Sequence, residues 1–391
     1  MSPKDQSPPL IAQRAALSGG LRGMGFAVLA VALFRTVNAQ TPSHTAEIDT
    51  LMRAFTGDVP GASVLVLQDG RALVSRAYGL AELSEKVKAT PLTNYRLASM
   101  TKQFTAAAIL LLAQDGRLSL DDKIKNYLPT LPPNADTVTI RELLTHRGGL
   151  IDYEDLIAPG TTQQVHDVDV LRLLEHEDRT YFVPGGGYRY SDTGYALLAL
   201  IVARVSGVSF ASFLHDRIFA PLGMQGTVAF EAGISQVPHR AYGYSLENGH
   251  WTQTDQSLTS AVLGDGGIYS SIDDLARWDA ALSAPGLLKA ESLMAAFTPL
   301  TKTDDANVSY ALGWRITGDT VWHSGESIGF RNVIVRWPQQ RFSVVVLSNR
   351  DDAEPYELAL KIAKLYLPDA DRVRATQVVV GPDSAAHPMP K

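Results

Sequence analysis

The chain has 391 residues, 35 basic against 41 acidic side chains, and a formal net charge of −6. That balance excludes the basic surface a nucleic-acid partner requires. The length allows a large buried core in two structural lobes. The absence of cysteine excludes disulfides and a lipid anchor on cysteine.

The first 39 residues read as an export leader. Arg14 and Arg22 precede the apolar run 25–34, and Val37-Asn38-Ala39 offers small residues at the −3 and −1 positions of a cleavage site. The run is short for a membrane span. Cleavage is therefore expected over a retained anchor, which makes the product periplasmic or secreted in a bacterium, with no stable membrane span.

Two β-rich runs, 62–68 and 71–78, flank Asp69-Gly70, a strong hairpin signal. Ser99-Met100-Thr101-Lys102 then opens an apolar stretch, free of Gly and Pro, that continues to Gln114 before Asp115-Gly116 stops it. On a helix, positions three apart share a face, so Ser99 and Lys102 can meet. A serine hydroxyl becomes a nucleophile once a base takes its proton, and a buried lysine can be that base. The plain alternative is a serine cap before an ordinary helix.

Helical patterns follow near 139–146, 168–176, 193–206 and 273–284. Strand patterns return near 310–316, 320–323, 330–337 and 342–348, and a helix follows at about 354–366. Strands at both ends with helices between predict an α+β, non-alternating fold. Residues 367–391 read as a tail, disordered from Gly381 onward.

Gly325-Glu326-Ser327-Ile328-Gly329 spells the G-x-S-x-G of a nucleophile elbow, which needs a histidine downstream. After Ser327 there is only His387, inside the tail, so a turn into the next strand is the preferred reading. The histidines show no metal-ligand spacing and no phosphate-binding loop appears, so neither metal nor cofactor is expected.

Ser99-x-x-Lys102, then Tyr190-Ser191-Asp192, then His323-Ser324-Gly325 resembles the ordered motif set of the penicillin-recognising serine hydrolases. The spacing resembles the class C β-lactamase branch, with its D-alanyl-D-alanine carboxypeptidase, D-aminopeptidase and esterase relatives. Leu143-Leu144-Thr145-His146, Gly264-Asp265-Gly266-Gly267 and Tyr310-Ala311-Leu312-Gly313-Trp314 add to it, and the resemblance covers roughly residues 45 to 365.

The resemblance implies an antiparallel sheet flanked by helices, drawn from about 45–95 and 300–366, plus an all-α lobe from about 100–300, with the site in the cleft between them. It implies Ser99 as nucleophile and Lys102 and Tyr190 as proton-transfer groups, with the choice of base open. It places the oxyanion between the backbone N–H groups of Ser99 and Glu326, and the substrate against Asp192, His323, Ser324 and Gly325. The implied function is hydrolysis of an ester or amide, either a D-amino-acid or cell-wall peptide or a carboxylester. The alternatives are a β-lactamase and a slowly turning-over penicillin-binding sensor.

Two positions depart from the pattern. Asp192 stands where the family has Asn, and an ionised Asp only accepts hydrogen bonds. It either pairs with Lys102 and raises its pKa, or receives a donor such as a free α-amine, or is a tolerated swap. His323 stands where many β-lactamases have Lys. It either recognises a substrate carboxylate in a pH-dependent way or satisfies a backbone group as a structural histidine.

Overall fold

The computed structural model describes residues 43–368. The leader expected over 1–39, and all but the first two residues of the tail expected over 367–391, lie outside that range, as does His387.

Strands β1 (Ala62–Gln68) and β2 (Arg71–Tyr78) form the hairpin that Asp69-Gly70 predicts. Asp69 has φ 53° and Gly70 φ 73°, the paired left-handed conformation of a two-residue turn whose twist matches its strands. The other sheet strands come from the far end of the chain: β3 (Thr301–Lys302), β4 (Val308–Tyr310), β5 (Arg315–Thr317), β6 (Thr320–Ser327), β7 (Phe330–Trp337) and β8 (Phe342–Ser348). Their order is β3-β4-β5-β6-β7-β8-β1-β2, antiparallel throughout. β1 closes the sheet by pairing with β8 from Ala62↔Ser348 to Gln68↔Phe342.

The two-residue period of a strand sorts these side chains between two cores. Val64, Val66, Val333, Val335, Val344 and Val346 share one core with Ile48 of helix α1 (Thr45–Leu51) and with Tyr356, Leu360 and Ile362 of the last helix, Pro355–Tyr366. Leu65, Leu67, Ile334, Val345 and Leu347 join the other, larger core. Each such side chain, fully buried, contributes about 1.5–3 kcal/mol.

The larger core is built on helices. Helix α2 (Lys102–Gln114) is buried from Lys102 through Leu112, so it is apolar all round as a central helix must be. Against it packs α5 (Asp192–Ser206), which stops at Gly207 with φ 80°, and on α5 in turn pack α3 (Ile140–Leu144), started by a Thr139/Glu142 capping box, and α4 (Asp167–Leu174). Helix α6 (Ile272–Ser283) packs on the sheet itself: its Asp279 carboxylate accepts from Arg336 Nε and from Ser343 Oγ, each at 2.7 Å. Among the described residues no single helix is long and apolar enough to cross a membrane.

Candidate active site

Ser99 owes its position to a short strand and a tight turn. Tyr95–Arg96 pairs with Ser270 and Tyr269, and Leu97 N–H bonds to Ile268 O at 2.8 Å. The chain then turns into a 3-10 segment, Ala98–Thr101, that runs straight into α2. Ala98 sits at φ 50°, a left-handed conformation that costs a non-glycine residue about 1–3 kcal/mol and persists only where the surroundings enforce it. From the other side β6 presses against this turn. A Cβ at Gly325 would lie 1.9 Å from Leu97 O and 3.1 Å from Met100 N, so only glycine lets the strand come so close. That approach sets Ser324, Gly325 and Glu326 beside Ser99.

Lys102 is fully buried, and its ammonium is held on three sides. Nζ donates to Ser99 Oγ at 2.8 Å and to the Asp265 carbonyl at 3.1 Å, and pairs with Asp192 Oδ1 at 2.6 Å. Two hydrogen bonds and one ion pair thus hold the ammonium. Burial alone would push the lysine down, but the charges of Asp192, Tyr190 and Asp265 outweigh it and hold Lys102 well above its ordinary value. Of the readings open for Asp192, the geometry matches the ion pair with Lys102.

Asp192 opens α5, where the helix N-terminus favours an acid. Its own N–H donates to Asp152 Oδ2 at 2.8 Å. Asp152, Glu154 and Asp265 complete a crowded acidic wall. Burial, reinforced by the Asp192 charge, pushes Asp152 up to about 6 and Glu154 up to about 8. The same causes hold Asp265 well above the carboxylate range, while Tyr153 Oη donates to its Oδ2 at 3.0 Å. Sequence reasoning missed Asp152 and Glu154, because no local spacing ties them to Asp192.

Two cations lie near the Tyr190 ring. Lys102 Nζ is 4.9 Å and Arg315 Cζ 5.0 Å from the centre of its ring. Arg315, the first residue of β5, faces Trp322 of β6 and was also missed from sequence.

His323 departs from its expected direct contact with substrate. It is fully buried; its Nδ1–H donates to Ser324 O at 2.6 Å, and Tyr310 Oη donates to its Nε2 at 3.0 Å. Burial, with the Arg315 and Lys102 charges nearby, holds it well below the usual histidine value and therefore neutral. Both ring nitrogens are occupied, which corrects the expectation of a pH-dependent carboxylate contact and matches the structural alternative. Ser324 is 3% exposed, and its Oγ has no hydrogen-bond partner among the described residues. The Glu326 side chain turns to Arg331, with Oε2 and Nε 3.4 Å apart. Ser327 ends β6 and leads into β7. No acidic, histidine or cysteine cluster able to hold a metal occurs among the described residues.

Comparison with known proteins identifies the family of this chain. The family model described as Beta-lactamase matches residues 46–367. Penicillin-binding protein 4* of Bacillus subtilis is 32% identical over 317 residues, which cover 76% of this chain and 70% of that one. Further relatives, 31% identical, are matched over 60–62% of their own length. The octameric penicillin-binding protein homologue from Pyrococcus abyssi superposes with a TM-score of 0.73 at 26% identity, covering 83% of this chain and 76% of that one. D-amino acid amidase from Ochrobactrum anthropi, solved with L-phenylalanine amide, shares the fold with a TM-score of 0.70 at 24% identity, over 82% of this chain and 99% of that one. With the family pattern matched along nearly all of the described residues, and the antiparallel sheet and helical lobe in place, the chain belongs to the β-lactamase family and is a serine hydrolase of that family.

Proposed function

We propose that the protein hydrolyses an ester or amide through an acyl-enzyme on Ser99. The observation that carries this reading is the 2.8 Å contact between Ser99 Oγ and a lysine already committed to Asp192 at 2.6 Å. A protonated lysine has no lone pair to take a proton, so on this reading the base is Tyr190, acting as its phenolate with Lys102 and Arg315 beside its ring.

In acylation the Ser99 proton passes to Tyr190, Oγ bonds to the substrate carbonyl carbon, and the leaving group departs with the proton from Tyr190. Water then attacks the acyl carbon and gives a proton to Tyr190; the bond from the acyl carbon to Oγ breaks as Tyr190 passes that proton to Ser99, and the acid is released. The N–H groups of Ser99 and Glu326 hold the oxyanion. The orphaned hydroxyl of Ser324 binds the substrate, Gly325 lets the strand approach, and His323 fixes the Ser324 carbonyl from behind. Asp192 acts through Lys102. The substrate class is a D-amino-acid or cell-wall peptide or a carboxylester, in keeping with the amidase and penicillin-binding relatives; export from a bacterium suits a cell-wall substrate.

Purified wild type, Ser99→Ala and Tyr190→Phe, incubated with p-nitrophenyl acetate, D-alanyl-p-nitroanilide and nitrocefin, test the reading. Product beyond one equivalent from wild type alone supports it, and the preferred substrate selects the subclass. A burst that stops at one equivalent identifies a binding sensor. Equal turnover by Ser99→Ala contradicts the assignment.

A further inference from the structure

His146 is the residue on which the segment carrying Tyr190 is mounted. Its carbonyl accepts from Arg189 N–H at 3.0 Å, and its Nδ1 accepts from Ser191 N–H at 3.1 Å. The residue before Tyr190 and the residue after it are thus both bonded to this one histidine. Between those bonds its ring lies on the ring of Tyr190, with centres 4.2 Å apart and planes 30° from parallel. Tyr195 and Tyr310 enclose the imidazole further, at 5.2 and 4.5 Å.

The local chain is arranged to permit this. His146 follows α3 at φ 56°, and its own N–H returns to Leu143 O at 3.2 Å. A left-handed residue directs its side chain where a continuing helix could not, and histidine is among the types that tolerate it. His146 as a whole is 4% exposed. Because Nδ1 accepts, the ring proton resides on Nε2. Burial, then the charges of Lys102 and Arg315, hold the imidazole well below its ordinary pKa, so it stays neutral beside two cations.

We propose that His146 is a positioning residue for proton transfer, fixing both the plane of the Tyr190 ring and the backbone on either side of it relative to Ser99. The inference rests on the reading that Tyr190 exchanges the proton with Ser99. Misplacement of a reacting group by about 1 Å costs on the order of 10²-fold in rate, and His146 is the device that prevents it.

Two substitutions separate its contacts. His146→Asn retains an acceptor for Ser191 N–H and tolerates the left-handed backbone but removes the ring. His146→Phe retains a ring and removes the acceptor. With the best substrate of the panel, kcat falls about tenfold or more in each, up to on the order of 10²-fold, while KM stays within about threefold. In the Tyr190→Phe background either substitution costs little further, because residues acting as a unit are non-additive. A structural defect remote from Tyr190 would instead multiply with Tyr190→Phe.

Thermal melts establish that each protein is folded, and His146→Asn serves if His146→Phe is not. Folded variants at wild-type kcat, or losses that multiply with Tyr190→Phe, overturn the inference while leaving the hydrolase reading intact. Tyr190→Phe turning over like wild type removes the premise, and the inference with it.

Discussion

Lys102 Nζ stands 2.6 Å from Asp192 Oδ1 and 2.8 Å from Ser99 Oγ, so one buried ammonium joins the candidate nucleophile to the acid that opens α5. In the free protein the negative charge of Asp192 is committed to Lys102. In the mechanism proposed above, the same pair keeps the lysine protonated and leaves the role of base to Tyr190.

Asp192→Asn tests that relationship. The substitution keeps the shape and a carbonyl acceptor but removes the charge that opposes burial, so the Lys102 pKa falls. The kcat/KM profile of the variant, followed from pH 5 to 10.5, is expected to show an ionisation that wild type lacks. The added N–H₂ donor is expected to raise amide and β-lactam hydrolysis relative to ester hydrolysis. An unchanged profile with unchanged rates would show that the pair is not what sets the lysine.

Lys102→Met removes the ammonium altogether. Turnover should fall roughly 10²–10³-fold, the usual worth of a preorganised charge beside the reacting groups. Stability should also fall, by about 3–5 kcal/mol, because acids are left facing one another without their cation. Urea denaturation of Lys102→Met and of Lys102→Met/Asp192→Asn checks this: the double variant should regain much of the loss.

Gly325→Ala should cost about 1–3 kcal/mol from overpacking and on the order of 10²-fold in kcat, since the added Cβ forces β6 away from the Ser99 turn. Gly70→Ala, strained but remote from the site, supplies the control for activity. Equal kcat in the two variants would contradict the close-approach argument.

The acidic wall makes stability depend on pH. Asp152, moved up to about 6, and Glu154, moved up to about 8, bind protons more tightly folded than unfolded. Between their ordinary values near 4 and these raised values the folded chain holds the extra protons, so these two groups lower stability as pH rises from about 4 to about 8. Thermal melts of wild type and Glu154→Gln across that range should converge at the acid end. At pH 8 the variant should be the more stable, and parallel curves would sink the assignment.

Local chemistry was legible in the sequence and long-range chemistry was not. Ser99 and Lys102 lie three apart at a helix start, so their meeting follows from helical spacing, and the Asp69-Gly70 turn follows from its two residue types. The partnership of Lys102 with Asp192 could be named as an alternative because both fall in recognisable motifs. The Asp152 contact spans 40 residues of sequence, so it emerges only once α5 is docked. His323 shows the opposite failure. Its motif position suggested a substrate contact, yet Tyr310, brought across the sheet on β4, occupies the ring nitrogen that contact would have needed. A sheet drawn from both ends of the chain was expected, and the pairing of β1 with β8 bears it out; only the order of the strands within it had no local signal.

The most direct test of the account is to locate the acyl group. Wild type and Ser99→Ala, quenched in acid during turnover of the best ester or amide, are digested and the peptides weighed. The acyl mass is expected on the peptide containing Ser99 in wild type and on no peptide of the variant. The same mass on the Ser327 peptide, or turnover without any acylated peptide in wild type, would contradict it.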